Sequence, residues 1–183
     1  MKKLFLLMIA IAIYIPTAMA GDFLGLFPRH KGVKPVSNIT YSQSCAECHF
    51  AYQPGLLPKR SWQKLMEPKQ LEDHFGENAE LPEKDRIAVL QFLLDNAADT
   101  TIRYKRSIKI SRSLADDEAP LRITEVPYIK KKHEEIPRKM IQDNRQVRSL
   151  SYCNKCHTQA AKGVFDDDTV DIPNFPDWDD LID

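Results

Sequence analysis

Apolar positions run almost unbroken from Leu4 to Ile15, behind Lys2 and Lys3 and ahead of Ala18-Met19-Ala20, a small-x-small cleavage pattern. A basic start, an apolar stretch and a cleavage site predict a secretory leader over residues 1–20, with Gly21 opening the mature chain. The stretch is shorter than the roughly 20 residues of a spanning helix, and Pro16 interrupts its end, so an uncleaved anchor is the weaker reading. Beyond it the pattern turns helical and broken. Residues 21–40 read as an irregular arm with Pro28, Gly32 and Pro35, and Gln53-Pro54-Gly55 marks a turn. Ser61 is placed to cap a short helix through Met66, and Pro68 to open another that ends at Gly76. A longer helix is predicted over residues 82–98, with Ile87, Leu90, Leu94 and Ala97 on one face.

From Thr101 to Pro137 the periodicity is poor. Ile108 and Ile110 alternate with bases, Ile123 and Val126 suit an extended stretch, and Pro120, Pro127 and Pro137 interrupt any long helix, so mostly loops are expected. A last helix is predicted from near Ser149 to Gly163. The Pro-containing acidic tail is expected to be extended or partly disordered, with Ile172, Phe175 and Trp178 as anchors to the body. The organisation expected is a leader (1–20), an N-terminal helical lobe (21–100) and a loop-rich C-terminal lobe with the acidic tail (101–183).

Charge excludes one broad class. Loss of the leader removes Lys2 and Lys3 and no acid, so 26 bases against 26 acids become 24 against 26, which argues against a general nucleic-acid binder. The balance hides an asymmetry, because residues 103–162 are rich in Lys and Arg while residues 166–183 carry eight Asp and no base. Only Ile87 to Leu94 forms a dense apolar cluster, so a buried prosthetic group is expected to help fill the core.

All four cysteines fall in two copies of one pattern, Cys45-Ala46-Glu47-Cys48-His49 and Cys153-Asn154-Lys155-Cys156-His157. Two thiols three positions apart reach the two vinyl groups on one edge of a porphyrin, and the adjacent histidine swings under the ring to bind iron. A zinc site from two Cys-x-x-Cys pairs would have a much shorter gap than that between Cys48 and Cys153, and needs no histidine after each pair. A thioredoxin-like pair expects a βαβ setting and gives no reason for a second copy. Structural disulfides are possible in an oxidising compartment, but two complete copies of the motif that use every cysteine, behind an export signal, favour haem. Two covalently bound haem c groups are therefore expected, on Cys45 and Cys48 with His49, and on Cys153 and Cys156 with His157.

Three further histidines compete for the sixth iron positions. His74 shares a helical side with Leu71 and Phe75, and a helical turn would direct His133 inward with Ile129 and Ile136. His30, between Arg29 and Lys31, reads as solvated. Met66 and Met140 are the alternatives, since thioether sulfur also ligates haem iron, or they are plain core.

The run Cys45-Ala46-Glu47-Cys48-His49-Phe50-Ala51-Tyr52-Gln53-Pro54-Gly55-Leu56-Leu57-Pro58 resembles the bacterial dihaem cytochrome c family, as do Ser61-Trp62, His74-Phe75-Gly76-Glu77-Asn78-Ala79, Arg122-Ile123-Thr124 and the second motif. The resemblance implies a mainly α fold, with a small class I cytochrome c-like lobe around haem one and an irregular lobe around haem two. It further implies His74 and His133 as distal ligands, a periplasmic location, and partnership with an oxygen-binding monohaem cytochrome c and a membrane cytochrome b. Lobe order pairs His74 with His49 and His133 with His157.

An iron with both axial positions filled by protein exchanges electrons and does little bond chemistry. The expected function is thus electron relay through two bis-histidine haems, not enzyme catalysis. A small dihaem peroxidase or reductase with one open iron is the alternative. A haem-based sensor would call for a signalling domain that the sequence does not contain.

Overall fold

The computed structural model describes residues 29–179, so the leader, the first part of the arm and the last four residues lie outside the described residues. Among the described residues the fold is mainly α, with six short helices, a set of 3-10 turns, isolated bridges and no strand. None of these helices is long and apolar enough to cross a membrane.

Helix α1 (Ile39–Cys45) starts where the Asn38 side chain accepts the Tyr41 N–H at 2.9 Å, inside what the sequence suggests is arm, and places Cys45 at its end. Helix α2 (Lys59–Leu65) begins two residues before Ser61, which is buried within it. Its cap comes from far away: the Lys59 N–H donates to Asp99 Oδ1 at 3.0 Å, a partner no local pattern reveals. Helix α3 (Pro68–Glu72) stops well short of Gly76. Asp73 Oδ1 accepts the Gly76 N–H at 2.9 Å, and Phe75 and Gly76 take φ of 60° and 100°, so the chain turns sharply there.

Helix α4 (Glu83–Asp95) is close to its expected span, but its buried line is Val89 and Leu93, leading on to Ala97, while Ile87 is 53% exposed. Leu90 and Leu94 flank that line as partly buried neighbours. The expected loops of residues 101–137 contain two helices, α5 (Lys105–Arg112) and α6 (Pro127–His133), joined through a 3-10 turn at Ile123–Glu125. Pro127 begins α6 instead of breaking it, because proline at the first helical position gives up only an N–H that has no helical partner. Ile110 and Ser107 of α5 are fully buried, and Ser107 Oγ donates to the Gly55 carbonyl at 2.9 Å.

The predicted last helix is replaced by 3-10 turns at Cys153–Lys155 and Ala160–Lys162. Gly163 ends the second in the left-handed region at φ 72°, so its place as the stop is as expected. It also meets the arm: the Val33 N–H donates to the Gly163 carbonyl at 2.9 Å.

Two cores result. The larger gathers Tyr41, Leu56, Trp62, Met66, Leu71, Val89 and Leu93 with Val33, Ile110, Val126 and Phe165, drawing on both sides of residue 100. The smaller holds Met140, Ile141, Val147 and Ile172, with Phe175 and Trp178 packed on it, so the tail is pinned by the three residues its sequence singles out. Bridges between His157 and Val170 and between Ile172 and Phe175 fold that tail back onto the second motif.

Candidate haem sites

Around the first motif, the end of α1 carries Cys45, and the following turn brings His49 opposite the turn after α3. The rings of His49 and His74 lie 6.3 Å apart between centroids and 30° from parallel. Two imidazoles that share a metal through bonds of about 2.0 Å have ring centres about 6 Å apart, so the gap has room for one metal between them. His49 Nδ1 is 2.9 Å from the Phe50 carbonyl, which fixes that nitrogen as the donor and leaves Nε2 free. His74 owes its position to the tight turn: its N–H donates to the Glu77 carbonyl at 2.8 Å. Its Nδ1 is buried without a hydrogen bond. Burial, reinforced by His49 and Arg122, lowers the pKa of His74 and favours the neutral imidazole that metal binding requires. The Arg122 guanidinium stacks 3.8 Å above the Phe75 ring beside it.

The second pair has the same spacing and a different twist. His133 and His157 are 6.0 Å apart between centroids, with rings 78° from parallel. His133 closes α6, and its Nδ1 donates to the Ile129 carbonyl one turn back at 2.8 Å. His157 follows the 3-10 turn at Cys153–Lys155, its N–H donating to the Cys153 carbonyl at 2.8 Å. Burial, then His133 and Arg106, push the pKa of His157 down to about 4 against the opposing pull of Asp167. These two histidines, with Cys153 and Cys156, line a partly open cleft walled by Leu56, Ile123, Ile129, Ile136, Leu150 and Phe165.

Cys45, Cys153 and Cys156 sit in surroundings that favour neutral sulfur. Burial pushes the thiols of Cys45 and Cys153 up to about 11, and burial with the nearby Asp171 raises that of Cys156. Zinc needs thiolate, whereas a thioether to a haem vinyl carbon is neutral. None of the four is in a disulfide, and among the described residues no three His, Cys, Asp or Glu side chains converge as a metal cage. Two thiols and two facing imidazoles at each site fit a haem c. Met66 and Met140 are buried in the two cores. His30 is exposed, as expected, and stacks on Tyr104 at 4.8 Å.

Three residues of these sites carry little signal in the sequence. Arg106, whose side chain is 13% exposed, donates to the Phe165 carbonyl at 2.7 Å and pairs with Asp166 at 3.5 Å. Its guanidinium lies about 6 Å from the rings of Tyr128 and Phe165, at the edge of the second cleft. Arg122 and Tyr52, the latter 4.7 Å from the His49 ring, stand in the runs that carry the family resemblance, but no pattern there discloses their contacts.

Residues 41–165 match the dihaem cytochrome c family. No curated protein matches the chain. Among solved structures, the chain is similar to an X-ray structure of a dihaem cytochrome c from Shewanella baltica OS155, at 38% identity and a TM-score of 0.62, over 77% of this chain and 97% of that one. It is likewise similar to a dihaem cytochrome c from Rhodobacter sphaeroides, at 39% identity and a TM-score of 0.62, over 73% of this chain and 99% of that one. The chain therefore belongs to the dihaem cytochrome c family, and its two Cys-x-x-Cys-His motifs fit the two covalently bound c-type haems of that family.

Proposed function

We propose that this haem-based electron carrier is a periplasmic relay in which both irons are six-coordinate, with His49 and His74 on haem one and His157 and His133 on haem two. The observation that carries the reading is the pair of facing imidazoles at each site, 6.3 Å and 6.0 Å between ring centres. Bound haem supplies a one-electron ferric–ferrous couple whose potential is set by ligands, burial and nearby charge. The chain's part is to hold four imidazoles in place. Phe50 and Ile129 carbonyls orient His49 and His133, burial keeps His74 and His157 from protonating, and the apolar wall of the second cleft limits water.

Export rests on the leader pattern of residues 1–20. The partners proposed, an oxygen-binding monohaem cytochrome c and a membrane cytochrome b, rest on the family resemblance. Docking by charge is supported by the basic and acidic stretches, although they partly neutralise one another. Lys31, Lys105, Lys109 and Lys132 share a cleft with Asp166, Asp167 and Asp168.

The test is carbon monoxide added to the reduced protein. The reading expects no spectral change in the unaltered protein, and binding at one haem of two in His74→Ala or in His133→Ala, with His30→Ala silent. Carbon monoxide binding to the unaltered protein at one haem, together with peroxide turnover, would instead favour the open-site enzyme.

A further inference from the structure

Tyr52 belongs to neither motif, yet it is a point of contact between the two haem sites. Its ring lies against the ring of His49, 4.7 Å between centroids and 31° from parallel. Its Oη donates to the Ser151 carbonyl at 2.6 Å, two residues before Cys153. The phenol is thus held between the proximal histidine of the first site and the attachment segment of the second. Other contacts fix it there. Tyr41, in the helix that carries Cys45, donates its hydroxyl to the Tyr52 carbonyl at 2.8 Å, and Phe50 packs edge-on against the Tyr52 ring at 4.9 Å. The next residue, buried Gln53, donates to the Ala161 carbonyl at 2.8 Å, so residues 52 and 53 are tied to both flanks of the second motif.

We propose that Tyr52 is the bridge by which electrons cross between the two haems, along the path His49 imidazole, Tyr52 ring, Tyr52 Oη–H···O=C of Ser151, and the short backbone to Cys153. The proposal rests on the relay reading above. Electronic coupling decays more slowly through bonds, hydrogen bonds and stacked rings than through empty or solvent-filled space, and this path contains one ring contact and one short hydrogen bond between covalent segments. The step moves a single electron: the donor iron goes from ferrous to ferric, the acceptor iron from ferric to ferrous. No bond forms or breaks. Tyr52 keeps its hydroxyl proton, donated to Ser151 throughout, and is neither oxidised nor reduced. Tyr52 is accordingly a positioning and coupling residue, not a ligand.

The experiment uses half-reduced holoprotein, with the intramolecular exchange rate read from the line widths of the paramagnetically shifted haem methyl resonances and extrapolated to zero protein concentration. Tyr52→Phe keeps the ring and loses the hydrogen bond, Tyr52→Leu loses both, and Tyr41→Phe removes a hydrogen bond to the same residue without touching the path. The exchange rate is expected to fall severalfold in Tyr52→Phe and by about tenfold or more in Tyr52→Leu, with both potentials and the low-spin spectra retained. Tyr41→Phe should exchange like the unaltered protein. If Tyr52→Leu fails to hold its second haem, Tyr52→Phe decides alone. Wild-type exchange in the Tyr52 variants, or equal slowing in Tyr41→Phe, would overturn the bridge and leave the relay standing. An unaltered protein whose haems do not exchange at all would overturn the relay and the bridge with it.

Discussion

Replacing Gly163 by alanine should cost far more than the same change at Gly76, although both glycines have positive φ, at 72° and 100°. At either site an alanine in this region costs roughly 1–2 kcal/mol of backbone energy. At Gly76 nothing lies within 4 Å of the added Cβ, so that is the whole cost. At Gly163 the Cβ would stand 2.4 Å from the Val33 carbonyl oxygen, a backbone atom that moves only if the arm moves. Moving the arm breaks the Val33 N–H bond to Gly163, a loss of about 1 kcal/mol. It also uncovers Val33, now 1% exposed, forfeiting part of the ~2 kcal/mol that burying a valine is worth. Gly163→Ala should therefore be less stable than Gly76→Ala by about 2 kcal/mol, a large share of a domain's ~5–15 kcal/mol. Guanidinium unfolding of the holoproteins, followed by far-UV circular dichroism and analysed at common slope, reads this directly. Equal losses in the two variants would refute the argument that the arm is clamped against the second haem segment.

Two further outcomes follow from the second site. Arg106→Met keeps the apolar stem and removes a charge that lies, by way of the Phe165 ring, within about 11 Å of the His157 ring. A unit charge at about 10 Å and an effective dielectric near 20 is worth roughly 1.7 kcal/mol, or about 70 mV for one electron, so redox titration should find one couple lowered by tens of millivolts and the other unmoved. Cys153→Ala with Cys156→Ala should leave one covalent haem by mass spectrometry, at the first motif, and loosen the small core of Met140, Ile141, Val147 and Ile172.

What could be read from the sequence was the chemistry that local spacing dictates. Cys45 to His49 and Cys153 to His157 declare themselves because one porphyrin edge demands that interval. The helical turn at His133 was legible for a related reason, since the spacing from Ile129 anticipates it. Elements shaped by distant partners were hidden. Asp99 caps α2 from 40 residues away, so Ser61 was a plausible but wrong cap. The run Lys130 to Lys132 masked α6, and Pro127 passed for a breaker because its harmlessness depends on its being the first residue of the helix. The second motif lies on 3-10 turns because the chain must bend back to bridge His157 with Val170. The Ile87 face of α4 was mis-phased because the intervening Val89 and Leu93 meet the core instead. Tyr52 and Arg106 acquire their roles from residues 99 and 59 positions away, contacts that periodicity does not encode.

Low-temperature electron paramagnetic resonance of the fully oxidised protein distinguishes two bis-histidine irons with differently twisted ligand pairs from an arrangement with one open iron. Near-parallel imidazoles, like His49 and His74 at 30°, give a rhombic low-spin ferric signal, whereas near-perpendicular ones, like His133 and His157 at 78°, give a more anisotropic signal with a larger maximum g value. Both signals should appear in equal amounts, with no high-spin iron. A high-spin signal integrating to one of the two irons would contradict it.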